Sequence, residues 1–351
     1  EEALKYRSVN EELFRVNATF QPIMILMVGI STLLTIFVGG QLYFAGEITA
    51  GNITEFIYYV NLLTWPIASI GWVTSLVQSA AASMERLNEF LSIEPDFKSG
   101  EYIPDSFKGN IEFRNVSFTY PNSGIEALKN VSFTLASGKS LGILGKTGAG
   151  KSTITSLIVR QYDPNSGEIL IDGIDLKQWH LPTLKSFLGW VPQEAFLFSD
   201  SISRNISFGL NKTEAKNIQH AAIAAGVHEN IIEFPNAYET QVGERGVTLS
   251  GGQKQRISIA RALAKKPKLM IFDDCLSAVD TETEELILGN IKQATSSISS
   301  LIIAHRVSSV KHCDQIICLE NGSIIEKGNH AELEDAGGHY SELIALQLDV
   351  S

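Results

Sequence analysis

The chain has 351 residues, enough for two or three domains. Its 39 acidic residues against 28 basic ones give a formal net charge of −11, and no Lys/Arg-rich run occurs, so nucleic acid is not an expected partner. Cys275, Cys313 and Cys318 are an odd set without disulfide-like spacing, which fits reduced thiols in a cytosolic compartment.

In chain order, residues 1–19 read as a mixed-polar helix, and residues 20–44, FQPIMILMVGISTLLTIFVGGQLYF, follow with no charge in them. About 20 apolar residues cross a bilayer core, and Pro22 near the entry end is tolerable in such a helix. A second apolar segment, residues 53–77, carries Glu55 and Asn61, with Gln78 just beyond it, and Pro66, which predicts a kink. Its polarity suits a helix facing other helices or an aqueous pathway. The alternative is a pair of buried core helices, and it fits the second segment better than the first. Lys5, Arg7 and Arg15 precede the first span and Arg86 follows the second, while the connector AGEITAGN has no Lys or Arg. The positive-inside rule then puts both ends in the cytoplasm and the connector outside. The chain begins at Glu1 rather than Met, with no signal peptide before the apolar segments, so the start reads as a truncated or incomplete N-terminus.

Residues 93–108, IEPDFKSGEYIPDSFK, are rich in turn formers and charge and read as a linker. Short strand patterns come next, including GEILIDG with an Asp172-Gly173 turn. The continuous apolar runs LGIL, LMIF and LIIA suit a parallel sheet buried on both faces. Residues 200–265 are helical by pattern. QIICLENGSIIEKG forms a hairpin turning at Asn321-Gly322, and a helical tail starts at His330. Cys313 and Cys318 have a spacing that also admits metal ligands, but the apolar strand pattern around Cys318 suits a buried thiol.

GKTGAGKS follows the apolar strand Leu141–Leu144 and opens a helix, the context a P-loop requires. Gly145, Lys146, Thr147, Gly148, Ala149, Gly150, Lys151, Ser152 and Thr153 are therefore candidate phosphate-binding residues. The glycines let backbone N–H groups wrap the phosphates, and the helix N-terminus favours negative charge. Lys151 would reach the β/γ-phosphates and Ser152 would hold Mg²⁺. The glycine spacing is not G-x-G-x-x-G, which disfavours a dinucleotide fold. LMIFDD delivers Asp273 to the carboxyl end of a strand, where it would also hold Mg²⁺ through water.

LSGGQKQR resembles the ABC transporter signature motif and matches it fully at Leu249, Ser250, Gly251, Gly252 and Gln253. The resemblance covers residues 109–345, with the two spans similar to the last two helices of a six-helix exporter domain. It implies an α/β P-loop NTPase domain with a parallel-sheet core, an antiparallel β subdomain and a helical subdomain, preceded by two transmembrane helices of a truncated exporter membrane domain. The domains implied are residues 1–92 for the C-terminal part of the transmembrane domain, 93–108 for the linker and 109–351 for the nucleotide-binding domain. ATP and Mg²⁺ are the implied cofactors. In this family the signature binds the γ-phosphate of ATP held by the opposite subunit. Tyr120 resembles the aromatic that stacks on adenine. Gln193 resembles the loop glutamine that senses Mg²⁺ and faces the membrane domain. Residues 240–246, TQVGERG, resemble the exporter-specific loop. Ser277, Ala278, Val279 and Asp280 resemble the loop coupling two ATP sites, and His305 the switch histidine at the γ-phosphate.

One residue departs from the family. Asp274 stands where active members carry the Glu that serves as base or orienter for the attacking water. The carboxylate is one methylene shorter, and a misplacement near 1 Å costs on the order of a hundredfold in rate. With the signature intact, the resemblance implies the degenerate-site subunit of a heterodimeric multidrug or lipid exporter. Asp274, His305 and Gln193 are its candidate catalytic residues. Its partners would be a second half-subunit, membrane lipid and an unidentified amphiphilic or small-molecule substrate. Its place would be the plasma or inner membrane, multi-pass, with the nucleotide-binding domain cytoplasmic. A homodimer with a competent Asp274 and an ATP-gated, non-pumping family member stay open. A soluble ABC ATPase working on DNA or ribosomes is opposed by the spans, and a P-loop kinase or GTPase by the signature.

Overall fold

A computed structural model of the chain describes residues 2–93, 98–210, 214–243, 246, 249–275, 287, 289–290 and 298–348. Contacts divide the chain into two units, residues 1–96 and 97–351.

The first unit is a pair of helices, α1 (Glu2–Phe44) and α2 (Ala50–Leu91), which continues through Pro66 without a break. Both contain stretches long and apolar enough to cross a membrane, Ala18–Phe44 and Ala50–Leu91. Their apolar side chains are exposed rather than packed into a core. Buried Gly39 lets the helices approach closely, since a Cβ there would press on Ile53. Several polar side chains bond within their own helix. Thr32, Thr35, Thr64 and Thr74 donate to the carbonyl one turn back, and Tyr59 donates to Glu55 at 2.6 Å. Such internal bonds are what an apolar solvent demands.

Among the described residues the second unit holds two sheets. In the first, β1 (Ile111–Thr119) lies between β2 (Glu126–Leu135) and β4 (Ser166–Ile171), all antiparallel, and β5 (Ile174–Asp175) pairs with β4. The β4–β5 turn has Asp172 and Gly173 at φ 53° and 81°, the mirror-image geometry that an Asp-Gly pair adopts at low cost. The second sheet has the order β10-β9-β3-β8-β7-β6. Here β3 (Ser140–Leu144), β6 (Leu188–Val191), β7 (Leu269–Asp273), β8 (Ser299–Ala304) and β9 (Gln315–Glu320) run parallel. The edge strand β10 (Ser323–Gly328) returns antiparallel through Asn321-Gly322. All five residues of β7 are buried, as both faces of a parallel sheet require.

After β3 comes α3 (Lys151–Ile158), eight residues long and too short to be stable alone. Ile154, Leu157 and Ile158 are fully buried, and each such side chain stabilises by roughly 1.5–3 kcal/mol. Next in the chain are α4 (Leu181–Phe187), α5 (Ile202–Ile206), α6 (Ala215–Ala224), α7 (His228–Ile232) and α8 (Gly251–Ala264). Ile154, Leu157 and Ile158 belong to a first core with Phe113, Leu128 and Ile143, and a second joins α5, α6 and α8 to β7 through Ile202, Ile206, Ala222, Ile257, Ala260 and Phe272. A third, with Leu144, Val307, Val310, Cys318 and Tyr340, lies under α9 (Val307–Val310), α10 (His330–Asp335) and α11 (His339–Leu348). All three cysteines are buried, and burial pushes the Cys318 thiol up to about 12.

Residues 94–97 of the expected linker lie outside the described residues, and residues 98–108 run along the second unit. Gly100 N and Tyr102 N donate to the carbonyls of Trp179 and Gln178, and His180 N donates to Tyr102 O. Arg160 Nη2 donates to Lys98 O at 3.1 Å, and the Phe107 ring stacks on Phe187.

Candidate functional site

The loop between β3 and α3 is shaped by three glycines. A Cβ at Gly145 would overlap the Leu319 carbonyl, and one at Gly150 the Ala127 carbonyl. Gly148 and Gly150 have φ of 83° and 99°, where only glycine is unstrained. Gly150 is the N-cap of α3 and supplies no side-chain cap bond, so the first turn keeps backbone donors that a phosphate would accept from. Lys151 is buried, and its Nζ donates to Gly145 O at 2.7 Å and Lys146 O at 3.0 Å. Burial lowers its pKa, and Asp274 and Asp273 oppose that shift.

β8, which pairs with β3, and β7 beyond it supply much of the rest. Asp273 ends β7 and accepts from Ser152 Oγ at 2.9 Å and Thr155 Oγ1 at 2.8 Å. The hydroxyl of Ser152, the Asp273 carboxylate and the Gln193 amide are oxygen donors of the kind a small hard cation prefers, so the set fits Mg²⁺. Thr155 escaped the sequence reading, although it lies three residues past Ser152 on the same helix face, which is signal enough to find it.

Asp274 follows with φ 47°, a left-handed conformation that Asp tolerates better than most residues. Its N–H donates to Ile303 O at 2.9 Å, which ties it to β8. Its Oδ2 accepts from Gln193 Nε2 at 3.3 Å and lies 3.7 Å from His305 Nε2. His305, just past β8, also stands 3.3 Å from Lys151 Nζ. Burial pushes the Asp274 carboxyl above the usual carboxylate range, His305 and Lys151 pull it down, and Asp273 pushes it up.

Lys151, Ser152, Gln193, Asp274 and His305 share one cleft of about 420 Å³, within the range of small-ligand sites. Tyr120 lines it, its ring edge-on to Phe118 and Tyr162 and its hydroxyl 3.0 Å from Thr153 Oγ1. Ile125, Ala127 and Lys129 around the start of β2 line it too, as does the Asn321-Gly322 turn, which the sequence placed as a hairpin but did not bring to the cleft.

Leu249–Gln253 do not line this cleft. They open α8, where Ser250 Oγ accepts from Gln253 N at 3.2 Å and Ser250 N donates to Gln253 Oε1 at 3.0 Å, a capping box. Leu249 is buried, and Ser250 and Gly251 are exposed. Near its other end α8 carries Arg261, which donates to Phe196 O and to both oxygens of Asn205, at 2.8 Å each, and lies over the Phe198 and Phe208 rings. The segment after Gln193 is thus pinned to the helix that starts at the signature. The 240–246 loop begins with Val242 N donating to Asp200 O at 2.9 Å, and its Glu244 and Arg245 lie outside the described residues. So do Ser277, Ala278, Val279 and Asp280.

The family profile described as ABC transporter matches residues 128–277. A probable multidrug resistance ABC transporter ATP-binding/permease protein of Bacillus subtilis, YheI, is 40% identical over 334 residues, which are 95% of this chain and 57% of the relative. The multidrug resistance-like ATP-binding protein MdlA of Escherichia coli is 39% identical over 339 residues, 96% of this chain and 57% of that protein. An ATP-dependent lipid A-core flippase of Pseudomonas fluorescens is 38% identical over 336 residues, 95% of this chain and 56% of the flippase. The chain therefore spans a little over half the length of these curated relatives. A solved structure of a bacterial Atm1-family ABC exporter with ATP bound has a TM-score of 0.85 and 32% identity, covering 98% of this chain and 61% of that one.

Proposed function

This chain belongs to the ABC transporter superfamily, exporter type, with apolar helices and a nucleotide-binding domain on one polypeptide, and we propose that it is the C-terminal part of a half-transporter that uses ATP to export an amphiphilic or small-molecule substrate. Residues 1–92 are assigned to the transmembrane domain, 93–108 to the linker and 109–351 to the nucleotide-binding domain. The place assigned is the plasma or inner membrane, with the nucleotide-binding domain in the cytoplasm. The multidrug and lipid A-core names of the relatives support the substrate class.

The observation that carries the reading is the gathering of Lys151, Ser152, Asp274, Gln193 and His305 around one cleft, with Asp273 bonded to Ser152 behind it. Lys151 and the N–H groups of 145–153 bind the β/γ-phosphates, and Tyr120 offers its ring to adenine. Ser152, Asp273 and Gln193 hold Mg²⁺, which supplies charge neutralisation to the phosphates. Asp274 orients the attacking water and takes its proton, and His305 donates to the γ-phosphate. The signature residues complete the site of a second half-subunit, so two chains close around ATP, and Ser277–Asp280 link the sites. Closure passes through Gln193 and the 240–246 loop to the membrane helices. The bonds from Arg261 to the 196–205 segment make that segment and α8 move together.

Asp274 beside an intact signature supports a heterodimer in which this chain's own site is slow. A second reading, a homodimer with a competent Asp274, has its support in reach: the shorter carboxylate still accepts from Gln193 at 3.3 Å. Mg–ATP hydrolysis by the full-length protein in lipid nanodiscs separates them, with Lys151→Ala as the blank. A parent rate near the blank that rises at least about tenfold in Asp274→Glu fits the impaired site. A parent that turns over well and gains little from Glu fits the homodimer. ATPase at the blank level in both variants sinks the hydrolytic assignment of this site.

A further inference from the structure

The parallel ladder between β3 and β8 ends at the Leu144–Ala304 pair, so His305 begins where the sheet stops holding the chain. Two residues later, Val307 N is the first N–H of α9, and the N-cap residue Arg306 makes no side-chain cap bond to that helix. Both loose groups are taken up from a distant element. Gln347, on α11, donates from Nε2 to His305 O at 2.9 Å and accepts at Oε1 from Val307 N at 2.9 Å. A single amide thus bridges the backbone on both sides of Arg306. The contact is seated, because Leu343 and Ile344 of α11 pack on the core that contains Val307 and Val310.

We propose that Gln347 is a positioning residue for His305, holding the loop so that the imidazole stays over Lys151 and Asp274. An orphan helix N–H is a strong acceptor-seeking group, and a carbonyl beyond the end of a strand has no partner in the ladder. Satisfying both with one rigid amide removes the backbone freedom that would otherwise let the ring leave its place 3.3 Å from Lys151 Nζ. The C-terminal helix is thereby part of the γ-phosphate site without touching nucleotide. This inference rests on the assignment of His305 to the γ-phosphate made above.

The γ-phosphate distinguishes ATP from ADP, so the test is the ratio of the two affinities. It is measured by displacement of a trinitrophenyl-ATP probe in the full-length protein, with Lys151→Ala defining the signal of this site. Gln347→Met keeps side-chain length and packing but loses both bonds. Gln347→Glu keeps the bond from Val307 N and loses the donor to His305 O. Two hydrogen bonds of ordinary strength predict a fall in ATP affinity of about fivefold to a hundredfold in Gln347→Met, with ADP affinity unchanged. In a His305→Ala background the same substitution has little further effect. Equal weakening of ATP and ADP, or full additivity with His305→Ala, overturns the inference, since a general loosening of α11 behaves that way. If His305→Ala lowers the ratio but neither Gln347 variant does, only this inference falls. If His305→Ala itself leaves the ratio at the parental value, the assignment of His305 falls and takes this inference with it.

Discussion

Two helix N-termini in the second unit face opposite demands. The first turn of α3 starts behind Gly150, in a left-handed conformation and with no side chain answering its N–H groups. The first turn of α8 starts behind Ser250, extended at φ −66° and ψ 158°, and closes its donors reciprocally with Gln253. On the function proposed above, the contrast separates this chain's own site from its contribution to a second chain's. Around α3 the chain leaves donors open, and Lys151, Asp274 and His305 stand nearby, so a phosphate would find several partners on this chain. At α8 the capping box takes up the N–H groups of Ser250 and Gln253. Ser250 Oγ accepts from within the helix, which leaves its hydroxyl proton to donate outward. A Cβ on Gly251 would meet nothing within 4 Å, so a ligand brought by another chain can approach closely.

The largest effect should come from emptying the first of these. Lys151→Ala removes a buried ammonium, and bonds to charged groups contribute about 1.5–3 kcal/mol each, so ATP affinity should fall at least about a hundredfold. Loss of the ATP-induced rise in Tm is the measurement. An unchanged rise would mean that α3 is not the phosphate site. Asp274→Glu comes next, with the tenfold gain in hydrolysis given above. Thr155→Val then tests how Asp273 is held. It deletes the bond from Thr155 Oγ1, and losing a group that orients a metal ligand lowers metal affinity by about tenfold or more. The Mg²⁺ dependence of ATP hydrolysis should move by that factor while metal-free ATP binding does not. The smallest effect belongs to α8. Ser250→Ala should cost about 1 kcal/mol of stability, read from denaturant unfolding, and leave ATP affinity at this chain's own cleft unchanged. A fall in that affinity would end the distinction between the two helix starts.

Much of this was legible in the residues. Asp172-Gly173 and Asn321-Gly322 name their turns because those pairs accept positive φ cheaply, and both turns form. The P-loop and the apolar runs are contiguous, so each carries its own local physics. The expected linker shows where such reading stops. Turn formers and charge mark residues 93–108 as a spacer, yet residues 98–108 are bonded to Trp179, Gln178 and Arg160, some 60 to 80 residues further along.

The sequence by itself determined the elements whose causes are local: the two apolar helices, the glycine loop with its lysine and the capped start of α8. Tertiary structure alone decided how these meet. It set the left-handed turn at Asp274, tied by its N–H to Ile303, and the grip of Thr155 on Asp273. It also set the bridge from Gln347 to His305 and Val307. Each joins a donor to an acceptor on a separate element. A hydrogen bond needs its two atoms within about 3 Å, and only the packed sheet and helices bring residues so distant in sequence to that range.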